Sequence, residues 1–212
     1  MKFIIEHLEP FISEWCLIEY ENISNIVGKE NLIITKLLKK DSQKNAKHFW
    51  GTEKQYFSRV NKLKHLAELH EESVLELPLK NTCLLEPQTN KILASNDNFD
   101  YFIFGGILGD HPERGRTEKY LTSKLPGKLI NPETRNLGNM QMSTDTAVLV
   151  TKIIARDKID FNKIKFIDKP EIELKQGKIS ESIILPYRYV KENNKPIISK
   201  KLLEYLKNKE DL

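Results

Sequence analysis

The stretch that decides the fold is NFDYFIFGGILGDHPERGR, residues 98–116. Tyr101-Phe102-Ile103-Phe104 is a short apolar run that suits a buried strand, and it stops at Gly105-Gly106. Ile107, Leu108, Gly109, Asp110, His111 and Pro112 follow. Six of the nine glycines of the chain lie between residues 105 and 138. A residue without a Cβ lets backbone approach a ligand closely. The stretch therefore places a small-molecule site at the end of a buried strand.

The rest of the chain reads as strands alternating with helices. Lys2 to His7 is a strand, and Ser13 caps a helix that carries Cys16, Tyr20, Ile23 and Val27 and ends at Gly28. Asn31 to Thr35 and Thr82 to Leu85 are further strands, and Lys128 to Ile130 reads as another. Lys36 to Gly51 is polar loop, and residues 54–71 have the apolar spacing of an amphipathic helix. Glu113 to Leu121 reads as helix. Ser143 or Thr144 caps a second long helix that runs to about Arg156 and is apolar on nearly every side. Ile164 to Ile167 is a late strand, and residues 199–208 are a terminal helix. This alternation implies an α/β fold with a mainly parallel sheet flanked by helices on both faces.

The 212 residues fit one domain, taken as 1–212, large enough to bury a core without disulfides. Cys16 and Cys83 sit in apolar runs and read as core thiols of a reducing compartment. No run reaches the ~18 apolar residues of a membrane span. The opening MKFIIEHLEP gains carboxylates too early for a signal peptide, so cytoplasmic residence is expected. Net charge is +4, yet Lys36 to Lys64 holds nine Lys/Arg against two acids. Such a run suits a nucleic-acid partner, although charge runs are more often solvated helix faces.

In a parallel sheet, ligands sit beyond the C-terminal ends of the strands. Three such ends are unusual in composition: Leu84 to Pro87, Phe104 to Pro112, and Leu137 to Thr144. If their strands are neighbours, the three loops form one pocket. Its Gly-Gly-x-x-Gly spacing is neither the dinucleotide fingerprint nor a P-loop, so a nucleoside without phosphates fits better than NAD or ATP. Glu6, Glu14, Glu86, Asp110 and Asp145 are carboxylates at the same rim, suited to a guanidinium or ammonium. Asp145 also suits the first turn of a helix. The five histidines and two cysteines show no metal-ligand spacing.

The segments KFIIEHLEPFISEW, CLLEP, DYFIFGGILGDHPERGRT, NLGNMQMSTDTA, IKFIDKPEIEL and LPYRYV together resemble the SPOUT-type protein arginine methyltransferase family. The likeness spans nearly the whole chain, with FGGILGDHP its most specific part and Lys36 to Leu79 its weakest. It implies a SPOUT fold with a C-terminal trefoil knot, S-adenosyl-L-methionine as cofactor, and methylation of an arginine in a small-subunit ribosomal protein. The cofactor-binding role carries over to Leu85, Pro87, Phe104, Gly105, Gly106, Ile107, Leu108, Gly109, Asp110, His111, Pro112, Leu137, Gly138, Met140, Gln141, Met142 and Thr144. Glu6, Asp110 and Asp145 are the candidates for catalysis, and Glu6, Glu14 and Glu86 for holding the substrate. Neither a metal nor a membrane partner is expected, and a monomer is. Methylation of rRNA or tRNA by a SPOUT enzyme, and a non-catalytic nucleoside-binding or ribosome-assembly factor, are the alternatives.

Overall fold

The structure is a computed structural model that describes residues 1–9, 11–37, 53–106, 115–125, 127, 129–175 and 181–208. Strand β1 (Lys2–His7) leads into helix α1 (Glu14–Val27). The Ser13 hydroxyl accepts the Cys16 amide at 3.0 Å, and Gly28 (φ +86°) closes the last turn through its own N–H to Ser24. Strand β2 (Leu32–Thr35), helix α2 (Glu53–Leu63) and the short edge strand β3 (Glu68–Leu69) follow. Then come β4 (Thr82–Leu85), β5 (Tyr101–Gly106), the short helix α3 (Arg116–Tyr120), β6 (Glu133–Arg135) and α4 (Thr144–Ala155).

These six strands make one sheet in the order β3-β2-β1-β5-β4-β6, parallel at every pairing. Such a sheet must be covered on both faces. Alternate residues do this: Phe3, Ile5, Phe102 and Phe104 face the core built with α1 and α4, while Ile4, Ile103 and Leu84 face Val74, Leu121, Leu125 and Leu129. Phe3 stacks between Phe102 (6.0 Å between centroids) and Phe104 (6.4 Å). The two cysteines are buried and free, as core thiols should be. Burial pushes both thiols up to about 12.

The C-terminal part was only partly legible. Strands β7 (Phe166–Asp168), β8 (Glu171–Lys175), β9 (Glu181–Ile184), β10 (Arg188–Glu192) and β11 (Lys195–Pro196) form small antiparallel sheets, and α5 (Lys200–Asn208) closes the chain. Only the late strand near residue 166 and the last helix were expected. Leu185, Tyr187, Tyr189, Leu202 and Leu206 bury with Ile18 of α1, which ties this part to the sheet domain.

Two expectations shift. The helix expected over 54–71 ends at Leu63, because the edge of β2 offers backbone partners to Glu68–Leu69 and to the His70 amide. The strand expected at Lys128 to Ile130 forms instead at Glu133–Arg135; Ile130 makes a single bridge to Lys80 and stays half-exposed. The polar Glu-Thr-Arg of β6 tolerates burial because Arg135 is paired with Asp97. Most of the lysine-rich loop at 36–51 lies outside the described residues.

Phe102 is fully buried at the centre of this core. Phe102→Ala should lower the unfolding free energy by about 3–5 kcal/mol in urea titration, and Ile130→Ala by less than about 0.5 kcal/mol.

Candidate functional site

Sheet order puts the C-terminal ends of β5, β4 and β6 side by side, with Leu84 opposite Ile103 and Leu85 opposite Arg135. The three unusual segments therefore leave the sheet at neighbouring strand ends. Ile107, Leu108, Gly109, Asp110, His111 and Pro112 lie outside the described residues. At the rim, Leu85 and Leu137 are buried, Met140, Gln141 and Met142 are half-buried, and Pro87 is exposed. Gly138 takes φ +87°, and a Cβ there would meet the Phe161 ring at 2.7 Å. The Phe104 side chain belongs to the core, stacked on Phe3, so only its backbone is offered to a ligand.

Gly106 is also small for a reason inside the fold. A Cβ on it would lie 2.7 Å from Ile5 Cγ2 and 3.0 Å from both the Glu6 carbonyl and the Tyr20 hydroxyl. The position is small because β1 and α1 press on it, whatever a ligand needs. Beside it, the His7 ring Nδ1 and the Tyr20 hydroxyl are 2.7 Å apart and buried.

The carboxylates separate into distinct environments. Glu6 stands opposite Gly105 in register but is 1% exposed. Its Oε1 accepts from Ser73 Oγ at 2.7 Å, and its Oε2 accepts from Thr35 Oγ1 at 2.6 Å and the Val74 amide at 2.9 Å. Glu6 thus pins the turn at residues 73–76 onto the sheet on the β2 side of β1, away from the ends of β4 and β6; this corrects its assignment to catalysis and substrate. Glu86 is buried and accepts from Thr122 and from the Gln88 amide, so it too anchors a loop instead of facing a substrate. Glu14 is exposed in the first turn of α1, with Arg59 3.9 Å away, a pairing of small value in water.

Asp145 is 5% exposed in the first turn of α4. Its Oδ1 accepts from Ser143 Oγ at 2.6 Å and the Thr146 amide at 2.8 Å, and its Oδ2 accepts from Asn22 at 2.8 Å. Sequence reading passed over Glu19, 4% exposed, whose Oε1 accepts the Trp15 indole N–H at 2.8 Å. The signal existed: Trp15, Glu19 and Asn22 recur at i, i+4 and i+7 on a helix that otherwise buries apolar residues.

The segment that carries β6 is gripped from two sides. The Glu86 amide donates to the Arg135 carbonyl, while Asn136 exchanges backbone bonds with Lys91 and Leu93. Both ends of one loop, residues 86–93, are thus bonded to residues 135–136.

With this geometry in hand, the family model described as "Protein arginine N-methyltransferase SFM1-like" matches residues 2–212. The chain belongs to this family. It is 42% identical to protein arginine N-methyltransferase SFM1 of Saccharomyces cerevisiae over 98% of its own length and 94% of the yeast protein. The crystal structure of yeast SFM1 complexed with SAM superposes with a TM-score of 0.79 at 38% identity, covering 97% of this chain and 89% of that one. A dual specific Trm10 from Thermococcus kodakaraensis shares the fold alone, with a TM-score of 0.52 at 13% identity over 76% of this chain and 95% of that one.

Burial, with Lys36 adding to it, lowers the His7 imidazole to about 4, and a contact with the Phe11 backbone only partly opposes this. The ring is neutral when folded, whereas the unfolded chain takes up a proton near pH 6.5. Stability is therefore present above pH 6.5 and is lost as pH falls toward 4, by up to about 3 kcal/mol from this residue. Urea titrations at pH 7 and pH 4.5 should show this loss in the native protein and a smaller one in His7→Asn.

Proposed function

We propose that the rim at the ends of β5, β4 and β6 holds S-adenosylmethionine, and that the protein methylates an arginine side chain of a small-subunit ribosomal protein. The observation that carries the reading is that the three segments leave the sheet from adjacent strand ends, in a chain that aligns over nearly its whole length with an arginine methyltransferase. Relatives complexed with SAM, SAH and MTA support the cofactor. The donor set fits a nucleoside without phosphates: apolar edges at Leu85, Leu137 and Met140, and backbone at Gly105 and at Gly138 in its left-handed turn. The remaining cofactor contacts are assigned to Pro87 and to Gln141 through Thr144.

The bonding of residues 135–136 to both ends of the loop 86–93 supports a trefoil knot that holds the cofactor loops. The protein is read as one SPOUT domain across 1–212, acting as a cytoplasmic monomer.

The bound cofactor supplies a methyl group on a sulfonium, an electrophile that needs no metal. The protein's task is to align an arginine nitrogen with that methyl carbon. Arginine is protonated and a poor nucleophile at neutral pH. A carboxylate that accepts its N–H groups turns one nitrogen toward the methyl and takes the proton that leaves as the new C–N bond forms. Asp145 has this role: it stands at the cofactor loop, and its position is fixed by Ser143, Thr146 and Asn22.

Incubation with radiolabelled S-adenosylmethionine and either salt-stripped small-subunit proteins or deproteinised rRNA tests the reading. Label in a protein, released as methylarginine on hydrolysis, is expected; label in rRNA alone overturns it. Asp145→Asn should slow turnover ~30- to 1000-fold while S-adenosylhomocysteine affinity, measured by calorimetry, stays within about threefold of native.

A further inference from the structure

Three elements meet in one buried polar cluster beneath the rim. Helix α1 brings Trp15, Glu19 and Asn22, the start of α4 brings Thr144 and Asp145, and β10 brings Tyr189. The Arg188 amide donates to the Gln141 carbonyl, which fixes β10 against the cofactor loop. The Tyr189 hydroxyl is buried, with the whole residue 1% exposed, and has no hydrogen-bond partner. The Ser143 hydroxyl beside it is committed to Asp145 and Thr146. An orphan hydroxyl and a second buried carboxyl are poor components of a core, and native cores rarely keep them without a use.

The electrostatics agree. Burial, then the charge of Asp145, push the Glu19 carboxyl up to about 8; the Trp15 indole and the Thr144 hydroxyl oppose this, and Glu9 adds to it. Cys16, Tyr20 and Tyr189, the other titratable neighbours, stay uncharged at neutral pH because burial raises each of them. Among the described residues, no cation stands in this cluster to balance two carboxylates.

We propose that Glu19 and Asp145 together seat the substrate guanidinium, with the Tyr189 hydroxyl and the Trp15 ring as uncharged walls, and that the arriving cation displaces a proton from Glu19. The inference rests on the arginine-methylating function above and adds its recognition device. A guanidinium carries five N–H donors and no acceptor, which matches a site rich in acceptors. Trp15 is only half-buried, so Glu19 lies one side chain from the surface. Entry of the guanidinium exchanges the indole N–H for another donor and conserves the hydrogen bond. The proton leaves to solvent and the cation takes its place, so the site selects for charge as well as shape.

The probes are N-acetyl-arginine amide and its neutral isostere N-acetyl-citrulline amide, titrated into the full chain saturated with S-adenosylhomocysteine. Calorimetry in two buffers of different ionisation enthalpy counts protons. The arginine probe should release close to one proton at pH 7 and tighten by up to tenfold per pH unit between pH 6 and 8. Glu19→Gln should abolish both the release and the pH dependence and weaken binding at least tenfold. The citrulline probe should release none. Glu21→Gln, a half-buried neighbour paired with Lys201, should behave as native. Glu19→Gln should also raise the melting temperature at pH 8, because a buried carboxyl held above its ordinary value loses stability from pH 4.5 upward.

Unchanged proton release in Glu19→Gln overturns the proposal, as does a citrulline probe that binds equally well. Where the small probe binds too weakly to titrate, kcat/KM on salt-stripped small-subunit proteins replaces it: a limb rising to about pH 8 is expected in native enzyme, and its survival in Glu19→Gln overturns the proposal. Loss of S-adenosylhomocysteine binding in the native protein would strike the cofactor reading instead.

Discussion

The pairing of β1 with β5 is the constraint on which the rest depends. Six residues on each strand run in parallel register, from Lys2 opposite Tyr101 to His7 opposite Gly106. Both strands are central, so alternate side chains enter opposite cores, and a slip of one residue would exchange Phe3 and Ile5 with Ile4. Gly106 secures the end of this register. Ile5, the Glu6 carbonyl and Tyr20 all press on the space a Cβ would need, so α1 lies close over β5 only because that space is empty. The position of α1 then sets where Glu19 and Asn22 meet α4, and β4 on the other flank of β5 places its loop at the same rim.

The four buried carboxylates show how one residue type serves different ends. Glu6 receives three donors from two parts of the chain and Glu86 receives two, so each acts as a fastener that stays where it is. Asp145 also receives three, one of them from Asn22 on another helix, and it keeps its place after the segment from Leu137 to Ser143. Glu19 accepts the Trp15 indole and faces the charge of Asp145, and burial holds it toward the protonated form. What the donors tie together separates these residues: Glu6 and Glu86 hold a turn and a loop, whereas Glu19 and Asp145 stand on two packed helices.

The sheet was legible because its central strands are apolar runs closed by glycine or polar turns, and α1 because Ser13 and Gly28 mark both its ends. Strand β6 was misplaced by reading apolarity, since its buried member is an arginine. Strands β8 to β11 are short and mostly polar, and their order comes from pairing with each other and packing under α5, which no local periodicity reports. The site was legible as loops but not as side chains: the neighbours of a rim follow from strand order, whereas the direction a carboxylate takes follows from which donors surround it. Glu6 looked like a rim acid for that reason, and Glu19 looked like an ordinary helical glutamate.

Arg135 shows how a segment bonded to a neighbouring loop is held to one register. Its Nε and Nη2 donate to the two oxygens of Asp97, each at 2.9 Å, and Nη2 also lies 2.8 Å from Glu133. Burial works against the charge of Asp97, and the guanidinium overrides it and holds the carboxyl below its usual value. The Arg135 guanidinium also lies 5.0 Å from the centroid of the Phe99 ring. Apolar contacts alone would tolerate a shift of the strand by a residue or two. A bidentate ion pair with a face on an aromatic ring does not, because displacement leaves a buried charge without its partner. The backbone bonds of Asn136 to Lys91 and Leu93 then form only in that register. The polar residues that hid β6 from a reading of apolarity are thus the ones that fix where it sits, and with it the loop from Leu137 to Thr144.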